Sequence, residues 1–277
     1  MNGRTRPAAF PSGTQSIERV INLLRVVASR GRNGMRLGDV TAACGLPSST
    51  CFRILQRLER ESVLERHPVT RKYLLGPLIY ELGLLASPGV QFAPRCEATL
   101  ASLAERTQDT VYLSERRGIE AVCSARALGS YPIKALTLDV GIRRPLGVGA
   151  GGLAILCALP PVEAEAIIAE NADRYPKLSN LSAARVHEAV VEGRERGYAF
   201  LDSAVYPGTA AVGVTIGTLE PMAAISVAAI SARLDVARRR EVAAELRRQA
   251  LLLSRQLEQS AASVAASKAG PDRGRRR

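Results

Sequence analysis

The sequence predicts an α+β protein of two domains: a small basic module of helices and a hairpin, then a larger domain built on a mostly antiparallel sheet. Three observations predict it. At 277 residues the chain is too long for one small module. Its charge is segregated along its length. Its apolar periodicity changes from purely helical runs near the start to strands mixed with helices over the last two thirds.

The charge is the clearest of the three. The chain carries 38 Lys and Arg against 26 Asp and Glu, a net of +12. Residues 1–76 hold 13 basic and 5 acidic side chains, a net of +8, whereas residues 77–267 hold 20 of each. The last ten residues hold 5 and 1, a net of +4. A solvated basic surface would spread the excess, so a compact basic module beside a neutral one points to a reader of polyanions with a second function attached. Aromatics make up 4% with no Trp, which argues against a base-stacking platform for single strands. No apolar run approaches the roughly 18 residues of a membrane span, and the N-terminus lacks the apolar core of a secretory signal. Five Cys at 44, 51, 96, 123 and 157 fit free thiols in a reducing cytoplasm better than a disulfide framework.

Residues 1–15, with Pro7, Pro11 and Gly13, read as a disordered lead-in. From Ser16, placed to cap, the positions Ile17, Val20, Ile21, Leu24, Val27 and Ala28 lie on one face of a helix. A second, short helix carries Leu37, Val40, Thr41 and Cys44, with Gly38 as its expected N-cap and Gly45 as its stop. Pro47 opens a third helix whose buried stripe is Cys51, Ile54, Leu55 and Leu58. Two β-like runs, 63–67 and 72–75, flank the turn Pro68-Val69-Thr70-Arg71. Helix, short helix, turn, helix and hairpin is the order of a winged helix-turn-helix, spanning 16–76. Amphipathic linker helices are expected over 77–107, broken at Ser87-Pro88-Gly89. The second domain, 108–260, reads as strands at about 110–115, 119–127, 198–203, 209–218 and 222–230, with helices at about 149–158, 161–170, 183–196 and from Asp235. Residues 261–277 read as a basic disordered tail.

The third helix leaves Ser48, Ser49, Thr50, Phe52, Arg53, Gln56 and Arg57 on its outer side. Hydroxyls at a helix N-terminus suit phosphate oxygens. Arg matches guanine, Gln matches adenine, and Phe can touch a thymine methyl. Arg71 and Lys72 at the hairpin tip are expected to meet phosphate or the minor groove. Double-stranded DNA is therefore the expected partner. The run Gly147-Val148-Gly149-Ala150-Gly151-Gly152 precedes a helix and could present backbone amides to an anion. It lacks the Gly-Lys-Ser/Thr of a phosphate loop and the acidic residue of a dinucleotide site, and the same glycines also suit close packing of helix on sheet.

Taken in order, Ser16-Ile17-Glu18-Arg19, Gly45-Leu46-Pro47-Ser48-Ser49-Thr50, Arg53-Ile54-Leu55, Tyr73-Leu74-Leu75-Gly76-Pro77, Arg143-Arg144-Pro145-Leu146, Arg196-Gly197-Tyr198-Ala199 and Ala223-Ala224-Ile225-Ser226-Val227 resemble the IclR family of transcriptional regulators. The resemblance covers about Ser16 to Leu257. It implies a winged-helix DNA reader joined to a GAF-like effector domain, acting as a homodimer or homotetramer on a palindromic operator. It also implies a small organic acid held by the amides of Ala150, Gly151 and Gly152, with Leu201, Asp202, Ala211, Ser226 and Ala228 at pocket positions. Leu153 stands where the family usually has Lys, so a fixed charge is missing there. Ala211 and Ala228 replace the Cys or Ser of a glyoxylate-responsive relative, which makes the wall less polar and suggests an aromatic or longer apolar body. Asp202 reads equally as a strand-end structural carboxylate.

Catalysis finds little support. His67 and His187 lack a Cys or acid at ligand or triad spacing, and neither C-x-x-C nor H-E-x-x-H occurs. No cofactor is expected. The rival readings are an α+β enzyme with a tethered DNA-binding module and an architectural DNA binder.

Overall fold

A computed structural model describes residues 14–85, 92–217 and 223–268. The expected lead-in up to residue 13, the Ser87-Pro88-Gly89 break and the last nine residues lie outside the described residues. The chain divides into two units, Met1–Val90 and Gln91–Arg277.

The first unit holds α1 (Gln15–Ala28), α2 (Leu37–Cys44), α3 (Ser48–Arg60), β1 (Leu64–Arg66), β2 (Tyr73–Leu75) and α4 (Pro77–Leu85). Its core is Leu23, Val27, Met35, Val40, Cys51, Leu55, Leu58, Leu64 and Tyr73. The expected stripe of α1 is rotated: Leu23 is fully buried, while Ile17 and Ile21 are 61% and 42% exposed. Ser16 lies inside the first turn of α1, not at its cap. Gly38 likewise lies inside α2, whose cap position is Arg36 in extended backbone. At α2 the cause is tertiary. Met35 exchanges both backbone hydrogen bonds with Tyr73 at 3.0 and 2.8 Å, which pins the chain extended up to the helix start. Gly45 closes α2 at φ +64°, a left-handed stop that favours glycine.

β1 and β2 pair antiparallel with Leu64 opposite Leu75 and Arg66 opposite Tyr73. In the turn, Nδ1 of His67 accepts from the backbone N–H groups of Val69 and Thr70 at 3.3 and 3.2 Å.

The second unit holds α5 (Phe92–Thr107), β3 (Thr110–Arg117), β4 (Glu120–Ala127), β5 (Arg143–Pro145), α6 (Ala150–Ala158), α7 (Pro161–Glu170), α8 (Tyr175–Leu178), α9 (Ala183–Arg196), β6 (Ala199–Asp202), β7 (Thr209–Ile216), β8 (Ala223–Ile230) and α10 (Val236–Lys268). The strands form one sheet in the order β5-β4-β3-β8-β7-β6, each pair antiparallel. Strand alternation sends Val111, Leu113, Ile225, Val227, Val212 and Val214 to one face, against α5 and α10. The opposite face packs α6, α7 and α9 through Leu153, Leu156, Ile167, Val186 and Val190. The short β5 and α8 carry too few residues for a periodic signal, and the sequence reading missed both.

Two expectations are corrected. The second linker helix, α5, is a core element of the larger domain: Leu100 and Leu103 are 1% and 0% exposed, packed with Cys96 and Ala104 against the sheet. α10 runs through Lys268, eight residues into the expected tail; the run Ala-Ala-Ser-Val-Ala-Ala is rich in the best helix former.

Candidate functional site

Two sites take shape, one in each unit. On α3, Ser48, Ser49, Phe52, Arg53, Gln56 and Arg57 are exposed and Thr50 is half-buried, while Cys51, Leu55 and Leu58 face the core. The 3.6-residue period alone creates this division. Pro47 occupies the cap position and offers no side-chain acceptor, so the first amides of α3 point outward unbonded, ready for an anion. Arg53 and Gln56 have no side-chain partner among the described residues. Arg57 pairs with Glu61 at 2.6 Å, but both groups are more than half exposed and such a pair is weak. At the wing tip Arg71 is exposed with φ +57°. Lys72 is half-buried, and its Nζ donates to the Asn33 carbonyl at 3.1 Å, tying the wing to the turn after α1.

The second site lies where α6 starts above the sheet. Gly147 and Gly149 at φ +98° and +89° shape the turn into it. A Cβ on Gly151 would stand 2.5 Å from the Ser114 hydroxyl, and one on Gly213 would stand 2.4 Å from the Ala150 carbonyl. These glycines therefore bring the helix onto the strands, and that approach also delivers its N-terminal amides to a cavity. No side chain caps α6, so the amides of its first turn stay open at the positive end of the helix.

The cavity encloses about 60 Å³. Ala150, Gly151, Gly152, Leu201, Ala211, Ser226 and Ala228, the positions to which the family resemblance pointed, line it. Asp202 does not. In β6 Leu201 faces the helices, so alternation turns Asp202 outward. Its Oδ1 accepts from the hydroxyls of Ser203 and Ser231 at 3.0 and 2.6 Å, the strand-end role that the sequence left open.

Five polar residues of the cavity escaped the sequence reading: Tyr112, Ser114, Thr137, Arg144 and Thr209. Tyr112 sits opposite Ser226, and Ser114 opposite Ala224, on the same face of the sheet. The alternation Val111-Tyr112-Leu113-Ser114 carried that signal. Tyr112 is satisfied, donating to the Ala135 carbonyl at 2.8 Å and accepting from the Thr137 amide at 3.0 Å. Burial pushes its phenol pKa up, so it stays a neutral donor. Ser114 and Ser226 are 5% and 6% exposed, and their hydroxyls make no hydrogen bond among the described residues. Arg144 is a cation among these lining residues, none of which is acidic. Its only signal was its place beside Pro145, which does not tell where a long side chain ends.

The model of the IclR helix-turn-helix domain matches residues 16–68, and that of the bacterial transcriptional regulator IclR C-terminal domain matches residues 90–255. The chain belongs to the IclR family. It is 25% identical over 246 residues to the HTH-type transcriptional regulator XynR of Escherichia coli, covering 88% of this chain and 97% of that one. An IclR homologue from Microbacterium hydrocarbonoxydans, solved with 4-hydroxybenzoate, superposes with a TM-score of 0.70 at 19% identity, over 88% of this chain and all of that one. An IclR-type regulator from Silicibacter matches with a TM-score of 0.71 at 23% identity, over 87% and 95%. These neighbours share the fold. The protein is thus an IclR-family transcriptional regulator with a helix-turn-helix DNA-binding domain and an IclR effector domain. No helix among the described residues is long and apolar enough to cross a membrane, and none of their His, Cys, Asp and Glu groups forms a cluster that could hold a metal.

Proposed function

We propose that this regulator acts in the cytoplasm as a dimer or tetramer on a palindromic operator, and that a small organic acid in the α6 cavity shifts its operator affinity. The observation that carries this reading is the pairing, in one cavity, of open α6 amides with the hydroxyls of Ser114 and Ser226, two residues only 5% and 6% exposed whose hydroxyls face the cavity without a protein partner. Buried polar groups left without partners in the protein are matched by a ligand or water, and a helix N-terminus favours an anion. Effector and operator are then linked: the acid changes DNA affinity only by as much as it prefers one arrangement of the reading heads.

Self-association is supported by apolar side chains that stand in water within the first unit. Ile17 and Ile21 of α1, and Tyr80, Leu82, Leu84 and Leu85 of α4, are each between 42% and 84% exposed. Two-fold symmetry would cover them and match a palindrome.

The apolar wall of Leu201, Ala211 and Ala228 favours alkyl or ring surface beside the carboxylate, and the structural neighbour holding 4-hydroxybenzoate is consistent with an acid. A ring needs room, however. About 60 Å³ holds about four waters, against the ~150 Å³ of a cavity that takes benzene, so an aromatic acid requires the walls to part. Selection of bound sequences from random duplex DNA, with and without a panel of acids, tests the whole reading. A palindromic consensus whose affinity responds to an acid is expected. Sequence-independent binding that ignores every acid points to the architectural alternative.

A further inference from the structure

Arg144 leaves the cavity with a charge that the protein does not balance. Its Nη2 donates to the Thr137 carbonyl at 2.6 Å, and its guanidinium carbon lies 5.9 Å from the centre of the Tyr206 ring. A guanidinium has five N–H donors, and among the described residues one of them meets a protein acceptor. The neighbouring Arg143 is paired with Glu120 at 3.5 Å, whereas no carboxylate reaches Arg144.

The two positive features of the cavity sit at different depths. The α6 amides lie over Ser114 and Ser226, which are nearly fully buried at the centre of the sheet. Arg144 comes from the edge strand β5, and its guanidinium meets Tyr206 of the β6–β7 connection, a side chain 47% exposed. One pole is therefore at the floor and the other at the mouth. Carboxylates bind guanidinium in a bidentate fork, and Lys or amides do not reproduce that geometry.

We propose that the effector is a short dicarboxylic acid: one carboxylate on the α6 amides and the Ser114 and Ser226 hydroxyls, the second on Arg144 at the mouth. This rests on the small-acid reading above and narrows it. The small enclosed volume fits a ligand whose second head lies at the opening, outside the buried floor. The second carboxylate meets the guanidinium donors that the Thr137 carbonyl leaves free.

The test is calorimetric titration of the full-length protein with malonate, succinate, propionate and 4-hydroxybenzoate at constant ionic strength. Malonate or succinate is expected to bind at least tenfold more tightly than propionate. Arg144→Gln should bring the diacids to within about twofold of propionate, and Arg144→Lys should keep part of the difference. Wild-type protein that binds propionate or 4-hydroxybenzoate as tightly as the diacids overturns the proposal and leaves the small-acid reading standing. A diacid preference that survives Arg144→Gln also overturns it. Failure of every acid to bind overturns both readings together. Should Arg144→Gln not fold, the wild-type ratio and Arg144→Lys still decide.

Discussion

Gly151 and Ser114 are so close that a single methyl group would not fit between them: a Cβ on Gly151 would lie 2.5 Å from Oγ and 2.9 Å from Cβ of Ser114. The contact joins the first turn of α6 to β3 and sets the height of the helix above the cavity floor. Gly151→Ala should therefore cost about 1–3 kcal/mol in stability through overpacking. Denaturant unfolding reads that loss, and acid binding should weaken further because the amides are displaced. A variant as stable as wild type would show that the helix can lift freely.

Arg53→Ala should cost about 1–3 kcal/mol on the preferred operator and relax one base position, since Arg53 stands exposed and unpaired on α3. Lys72→Ala should weaken all sequences alike and flatten the salt slope. Because Lys72 also holds the Asn33 carbonyl, a small loss of wing order should accompany it. Binding isotherms over a range of salt separate the two behaviours.

Ser226→Ala should abolish or strongly weaken the response to acid while leaving operator affinity without ligand nearly unchanged. Its hydroxyl makes no bond in the protein, so its removal orphans no partner and the stability change should stay within about 0.5 kcal/mol. Thermal shift with and without acid measures both. An undiminished acid response would remove Ser226 from the site.

The buried thiols predict alkaline sensitivity. Burial pushes Cys96 and Cys123 up to about 12 and Cys157 up to about 11, from an ordinary 9.0. A group whose folded pKa is raised stabilises the fold fully below its unfolded value and loses that contribution as pH climbs through the folded one. Stability should thus fall from about pH 9 towards pH 12. At pH 8 these thiols should alkylate far more slowly in the native protein than in urea. Equal rates in the two states would mean the thiols are open.

Replacing Leu82 and Leu85 by Glu should weaken self-association, since both are more than half exposed on α4 and a charge cannot be buried there cheaply. Sedimentation should show a dimer or tetramer for the wild type and a shift towards monomer for the variant. A wild type that sediments as a monomer at micromolar concentration contradicts the oligomeric reading.

How much of this was legible in the sequence follows from the range of the forces involved. Local periodicity and charge were enough to place the reading helix: Cys51, Leu55 and Leu58 recur at helical spacing, so Arg53 and Gln56 must face away. The same logic placed five of the six strands of the large sheet to within a few residues, missing only the short β5, and it set Gly151 at the helix start. The sequence could not say which face of α1 is buried, because Met35 and Tyr73 meet only through the chain's return, and Leu23 shares their core while Ile17 stays outside. Nor could it separate Leu201 from Asp202, neighbours whose roles are decided by which side of β6 the helices cover. Arg144 depended most on tertiary structure. A long flexible side chain on an edge strand acquires its place from Thr137 and Tyr206, 7 residues before it and 62 after it, which no local pattern connects. Backbone period and charge are properties of adjacent residues, whereas a cavity is an intersection of distant ones, and only folding brings those together.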